Sequence, residues 1–509
     1  MTNGVRIELG GRANGYSRSS PKTFGEGIMN MITHRKFLRM ASFVSAVLTA
    51  LPHLWAAPNP AERPNIIFIM ADDHCKQAIS SYGGTVIETP NIDRLSKQGC
   101  RFDRMFSNNA ICGPARACLL TGKYSHNNGY TTNRGRFDRT QTTFPRNLQK
   151  LGYETSIFGK WHLGSEPSGF DYFKLMKGHG RYYDCPLKES GRNWNDSGKV
   201  HKGYLTDVIT DESIAWLKNR KNKKQPFMMM VHHKAPHSPH DPAPRHKNLF
   251  ANTRFPEPDT LFDDYTGRMP EKIANKLRAS RLLINKYPEY GNLVRKKGSD
   301  KEKLKEIYQA YMKGYLRLVA SLDENVGRLL DFVEQEGLAK NTIIIYTSDN
   351  GFFLGEHGFM NKMWIYEPAL HLPFIMRYPD HLAPGSTENA MLSWVDVAPT
   401  LIELAGGDAP KEMDGRSFKP ILDGEPITTR QEVFYEFLAE RHAPKHKGLR
   451  TEQYKIAYYS SFEIAEGFRP MWELFDLKND PEEMNNIIDD PKYRDIVKEL
   501  KTQLKKYMD

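Results

Sequence analysis

At 509 residues the chain is long enough for one large domain and a smaller one. Its 39% hydrophobic and 11% aromatic residues supply an ordinary core, which excludes a disordered or low-complexity protein. Residues 1–57 hold seven Lys/Arg against two Asp/Glu, so only about +6 of the formal charge of +11 belongs to the rest. That modest excess fits an acidic substrate as well as it fits a merely basic surface, and no nucleic-acid partner is expected.

The stretch "THRKFLRMASFVSAVLTALPHLWAAP" has a basic start, an apolar run of about a dozen residues from Ala41, and small residues at Ala56 and Ala57. This is the pattern of a secretory signal peptide and is too short to span a bilayer. Residues 1–57 are therefore read as an N-terminal extension and signal peptide, and the mature protein as exported, periplasmic or secreted. No later segment is apolar enough for a transmembrane helix. The five cysteines, Cys75, Cys100, Cys112, Cys118 and Cys185, match no zinc spacing and form no disulfide framework. Being odd in number, they leave at least one thiol unpaired.

Beyond the leader, "NIIFIM" (65–70) reads as a buried strand. A helix follows over Pro90–Gly99, with Thr89 as its cap and Gly99 as its stop. In "ICGPARACLLTGK" (111–123), Pro114 suits a first helical position and Gly122 a left-handed end. Cys112 then stands at the positive end of a helix dipole beside Arg116, a place suited to an anion, although a cysteine is as often a small buried hydrophobe. Further strands are read at "ETSIF" (154–158), "PFMMMVH" (226–232) and "TIIIYTS" (342–348). A charged, Pro-rich insertion covers about 241–300, and a long helix about 302–336. Strands of this kind alternating with helices predict an α/β fold, a large doubly wound and mostly parallel sheet over residues 58–415. After "VDVAPTLIELAGG" (395–407) the runs "EVFYEF", "GLRTEQYKIAYY" and "MWELFDL" read as antiparallel strands. With a final helix from about Pro491 they predict a smaller C-terminal α+β subdomain over 416–509.

Polar residues cluster directly after four of these strands. Asp72 and Asp73 follow the first, Lys160 and His162 the second, His237 the third, and Asp349 and Asn350 the fourth. Ligands of open α/β sheets bind at the carboxyl ends of strands, so the four clusters are expected at one edge. Asp72, Asp73, Asp349 and Asn350 are hard oxygen ligands, suited to calcium or magnesium; singly, an Asp pair or "DNG" is also a common cap or turn. With Lys160, His162, His237, Lys362 and Arg116 around a metal, the set fits group transfer on a charged oxyanion. Cys112 is the best-placed nucleophile. Only Gly113, Pro114 and Ala115 separate it from Arg116, which does not match the five-residue gap of the tyrosine-phosphatase loop.

These residues resemble the formylglycine-dependent sulfatases of the alkaline-phosphatase superfamily. The likeness runs through "PNIIFIMADD", "TPNIDRL", "CGPAR…LLTGK", "GKWHLG", "SDNGFFLGEHG" and "LFDLKNDPEEMNNI", with Ala115 where the family most often has Ser. The resemblance implies a sulfuric ester hydrolase. A maturation enzyme oxidises Cys112 to formylglycine (3-oxoalanine), whose hydrate attacks sulfur and then expels sulfate. It implies Ca²⁺ held by Asp72, Asp73, Asp349, Asn350 and the modified Cys112, with Arg116 supporting that residue. Lys160 and Lys362 would bind sulfate oxygens, with His162 as base and His237 as acid. His74 and His233 would stand behind them. The substrate implied is a sulfated carbohydrate, by similarity to N-acetylglucosamine-6-sulfatases and iduronate-sulfatase-like enzymes. His357, His442, Lys445 and Arg450 are candidate substrate contacts. Alternatives are a formylglycine-dependent phosphonate monoesterase or phosphodiesterase, and a catalytically dead binding protein for sulfated glycans.

Overall fold

Residues 65–72 are apolar at almost every position, so a strand there must be covered on both faces. In the computed structural model it is. The structure describes residues 63–272, 293, 297–425, 430–439, 443–462 and 467–508; the leader read at 1–57 lies outside them. The large sheet takes, in chain order, β1 (Asn65–Asp72), β2 (Cys100–Phe106), β3 (Glu154–Lys160), β4 (Tyr172–Met176), β5 (Pro186–Glu189) and β6 (Lys199–Val200). It continues with β7 (Phe227–Pro236), β8 (Thr342–Ser348), β9 (His371–Arg377), β10 (Ser386–Glu388) and β11 (Leu392–Ser393). Its spatial order is β10-β2-β9-β8-β1-β7-β3-β4-β5-β6, with β11 also on β2. From β8 to β4 every pairing is parallel; beyond them β9 and β2 on one side and β5 and β6 on the other pair antiparallel, and β10 and β11 join β2 in parallel.

The strands' two-residue period sends alternate side chains to two separate cores. Phe68, Met230 and Ile345 pack on one face against α2 (Cys112–Thr121) and α5 (Val397–Leu404). Ile67, Ile69 and Val231 pack on the other against α1 (Pro90–Gln98), α3 (Leu205–Asn219) and α4 (Asp300–Gln335). Helices on both faces make the sheet doubly wound, as the sequence predicts. The second sheet, β12 (Glu432–Phe437), β13 (Lys445–Thr451), β14 (Tyr454–Ser461) and β15 (Met471–Asp476), is antiparallel throughout. Its Phe434, Leu449 and Ile456, with Leu500 and Leu504 of α6 (Arg494–Lys505), join the same apolar core as α2 and α5.

Two local readings need correction. The helix after Ile111 begins at Cys112, making Pro114 its third residue; the first-turn N–H groups have no intrahelical partner, so proline fits anywhere in that turn. Thr89 does not cap α1 through its side chain. The cap comes from α4, where Asp323 Oδ1 accepts from the N–H of Asn91 at 3.1 Å and of Ile92 at 2.9 Å. All five cysteines are free and buried.

Candidate active site

β8, β1, β7 and β3 are neighbours in that order, so their carboxyl ends line one stretch of sheet edge. β1 ends in Asp72, and Asp73 follows with a φ of 73°, a left-handed conformation few non-glycine residues adopt. Asp349 and Asn350 follow β8 directly, and His237 follows β7. β3 ends in Lys160, and His162, two residues on, again has a positive φ of 60°. Two such residues at one edge are held there by surrounding contacts, as strained backbone at functional sites commonly is.

Cys112 reaches this edge from the first turn of α2, the dipole's positive end. Gly113 lets the turn sit close to its neighbours: a Cβ there would stand 2.7 Å from Asn133 Oδ1 and 2.8 Å from the Tyr130 ring. Asn133 Oδ1 accepts the Gly113 N–H at 2.9 Å, and Gly122 ends the helix at a φ of 63°. The Cys112 Sγ, an Asp72 carboxylate oxygen and a His237 ring nitrogen lie within 4.8 Å of one another.

Cations and carboxylates interleave around the thiol. Arg116, fully buried one turn along α2, donates through Nε (3.1 Å) and Nη2 (2.9 Å) to Asp349 Oδ2, and through Nη1 (2.8 Å) to the Lys160 carbonyl. Lys160 Nζ pairs with Asp72 Oδ2, and Lys362 Nζ with Asp73 Oδ1. Lys362 Nζ also stands 3.2 Å from Cys112 Sγ. Burial pushes the Asp72 carboxyl up, but Lys160, then His237, Lys362 and Arg116, hold it well below the usual range. Burial pushes Asp349 up to about 6, with Asp72 adding to the effect. It also raises the Cys112 thiol, against the pull of Lys160 and Lys362. Both histidines are driven down, His162 by burial and Lys160, His237 by burial against the attraction of Asp72.

The oxygen set fits a hard divalent cation. Oxygens of Asp72, Asp73 and Asp349 lie within 4.8 Å of one another. Asp72 Oδ1 and Asn350 Oδ1 are buried without a hydrogen-bond partner among the described residues, which is costly unless a ligand satisfies them. Carboxylate and amide oxygens together suit calcium.

Comparison with known proteins bears directly on this arrangement. The sulfatase family profile matches residues 64–407, and that of the N-sulphoglucosamine sulphohydrolase C-terminal region matches 355–509. The N-acetylglucosamine-6-O-sulfatase of Bacteroides thetaiotaomicron is 43% identical over 486 residues, covering 86% of this chain and 85% of its own. The chain belongs to the sulfatase family. The solved structure of BT4656 in complex with its substrate D-glucosamine-2-N,6-O-disulfate superposes with a TM-score of 0.77 at 41% identity, over 87% of this chain and 97% of that one. The phosphonate monoester hydrolase of Agrobacterium radiobacter shares the fold, at a TM-score of 0.70 and 23% identity, over 87% of this chain and 95% of that one.

This sulfatase, a sulfuric ester hydrolase, gathers Asp72, Asp73, Cys112, Arg116, Lys160, His162, His237, Asp349, Asn350 and Lys362 at one place. His74 stands behind the cluster: its N–H donates to Ser348 Oγ at 2.9 Å, and its ring meets the Tyr346 hydroxyl. His233 is buried in β7. His357 lies in a buried polar network, with Nδ1 2.8 Å from the Asp263 carboxylate, which also pairs with Arg268. Arg450 pairs with Glu367 at 3.3 Å and lies over the Phe106 ring. Lys445 opens β13, and His442 lies outside the described residues.

Two residues at the site escape sequence reading. Lys234, inside β7, donates to the Ser238 carbonyl at 2.9 Å; burial lowers its pKa to about 8, against the attraction of Asp72. His179 stands against His162, with ring centroids 4.2 Å apart. The signal for His179 is the same strand-end placement, since it follows β4, but "YFKLM" carries a lysine and is too short to stand out as a strand.

Proposed function

We propose that this sulfatase hydrolyses the 6-O-sulfate ester of glucosamine units in a sulfated carbohydrate, releasing sulfate and the free hydroxyl. The observation that carries the reading is the convergence on Cys112 of three carboxylates, Asn350, Arg116 and two lysines at the edge of the sheet. The 43% identity with an N-acetylglucosamine-6-O-sulfatase supports the choice of sugar. Residues 58–415 would carry the chemistry and 416–509 contacts to the sugar. His357, His442, Lys445 and Arg450 are the candidates for those contacts; of these, His357 bonds the Asp263 carboxylate and Arg450 pairs with Glu367.

Asp72, Asp73, Asp349 and Asn350, with residue 112, would hold Ca²⁺, which offsets the negative charge of substrate and transition state. Cys112, oxidised by a maturation enzyme to formylglycine, would supply an oxygen nucleophile with its own means of releasing the bound sulfate. Lys160 and Lys362 would orient the sulfate oxygens. His162, held neutral by burial and Lys160, with Nδ1 buried and without a hydrogen-bond partner among the described residues, would take up a proton there. His237 donates from Nδ1 to the Ser238 carbonyl at 2.6 Å, which leaves Nε2 of the neutral ring without a proton, so to act as the acid His237 would first take up a proton at Nε2 and then pass it to the leaving oxygen.

The apolar leader supports export, and no helix among the described residues is long and apolar enough to cross a membrane. The test is sulfate release from N-acetylglucosamine 6-sulfate against hydrolysis of phosphate and phosphonate monoesters, on protein purified from its own host. The peptide holding Cys112 is weighed alongside. We expect the sugar sulfate to be the best substrate and the peptide to be about 18 Da light, the mass lost when the thiol becomes an aldehyde. Faster phosphonate hydrolysis overturns the sulfate reading, and an intact thiol in active protein overturns the nucleophile.

A further inference from the structure

After β4 the chain turns at Lys177–Gly180, where Gly178 and Gly180 take φ values of 59° and 61°. Gly180 is also pressed close to its surroundings: a Cβ there would stand 2.6 Å from Met176 Sδ. Between the two glycines, His179 lies against the catalytic cluster. Its ring centroid is 4.2 Å from that of His162 and 4.7 Å from that of His237, and its Nδ1 is 3.4 Å from Lys160 Nζ.

Burial orders these groups from the interior outward. Lys160 is buried, His162 and His237 are half-buried, and His179 is exposed. An ammonium has only protons to give, so Nδ1 of His179 accepts from Lys160, and the neutral ring carries its proton on Nε2. A ring that accepts from an ammonium at Nδ1 is a neutral one. Among the described residues Nε2 has no hydrogen-bond acceptor in the protein.

We propose that His179 is a substrate-contacting residue of this site, its Nε2–H donating to a sugar oxygen beside the scissile ester. The placement sets the side: Lys160, Lys362 and the carboxylates crowd the inner end around Cys112, while His179 lies at the outer end next to His237, the acid toward the leaving alcohol. The inference rests on the carbohydrate-sulfatase reading and adds to it a specificity contact on the alcohol half of the substrate.

The experiment compares the wild type, His179→Ala and His179→Gln on N-acetylglucosamine 6-sulfate, with inorganic sulfate as inhibitor and 4-nitrophenyl sulfate as second substrate. Losing one hydrogen bond to a polar substrate group predicts a KM raised about tenfold or more in His179→Ala. The Gln amide can offer a donor near the Nε2 position, so His179→Gln should recover most of that loss. Inhibition by sulfate, which probes only the inner end, should stay within about twofold of wild type, as a purely structural role would not require. A wild-type KM for the sugar in His179→Ala, or an equal loss of sulfate inhibition, overturns the assignment and leaves the sulfatase reading standing. A wild type that hydrolyses 4-nitrophenyl sulfate but not the sugar sulfate overturns both the carbohydrate reading and the contact.

Discussion

Arg116 is buried and donates through three nitrogens, two of them to a single oxygen of Asp349. Only a guanidinium has a fork that spans those acceptors. Arg116→Ala would leave Asp349 without its partner in a dry site, so we expect a stability loss of about 3–5 kcal/mol in chemical denaturation. Arg116→Lys should recover part of it, and an unchanged denaturation midpoint in the alanine variant would contradict this pairing. The carboxylates make a second case. Asp72, Asp73 and Asp349 crowd together, and the lysines pair with only two of them. A cation bound there stabilises the folded state by mass action. Excess chelator is therefore expected to abolish sulfate release and lower the melting temperature by a few degrees, both restored by added calcium. Full activity in chelator would rule out a required metal.

At the scale of elements, α1 depends on α4. Its first N–H groups point to the Asp323 carboxylate, and Asn91 Nδ2 donates to the same group at 2.8 Å. Asp323→Ala removes this cap and leaves donors unsatisfied at a buried helix end. The expected cost is about 1–3 kcal/mol, read as a lowered denaturation midpoint. Because Asp323 lies 231 residues or more from the groups it caps, no local pattern could reveal it. Thr89, the residue that local rules choose, instead bonds Ser80 and Asp93. The strands behave in the opposite way. β1, β7 and β8 are covered on both faces, so each carries an unbroken apolar run visible in the sequence, and the polar residues at and beyond the C-terminal end of each run stand out against it.

At the scale of the molecule, Glu473 of β15 ties the small sheet to the large domain. It is fully buried, accepting from the Met269 N–H, from the Tyr459 hydroxyl at 2.8 Å and from the Tyr366 hydroxyl at 3.4 Å. Burial raises its pKa from 4.5 to about 7, opposed by those donors and by Arg268. A raised folded-state value means the native protein holds more protons than the unfolded chain between about pH 4.5 and 7. The associated stability is complete below that window and is lost as pH rises through it. Stability should therefore fall more steeply from pH 5 to 7 in the wild type than in Glu473→Gln, measured by denaturant midpoints at each pH. Equal slopes would show that Glu473 does not titrate there.

The sequence by itself determined the doubly wound sheet, the antiparallel C-terminal strands and the strand-end carboxylates, lysine and histidines that gather around Cys112. Each depends on a local signal: an unbroken apolar run, a turn, or a polar residue placed where a strand must end. The tertiary structure alone decided that Asp323 caps α1 and that Glu473 of β15 lies buried against Met269 and Tyr366. It also decided that His179 joins His162 and His237 while His357 and Arg450 pair with carboxylates elsewhere. Those outcomes depend on which elements become neighbours. A side chain's partner across a long loop is set by the packing of whole strands and helices, which no short stretch of sequence contains.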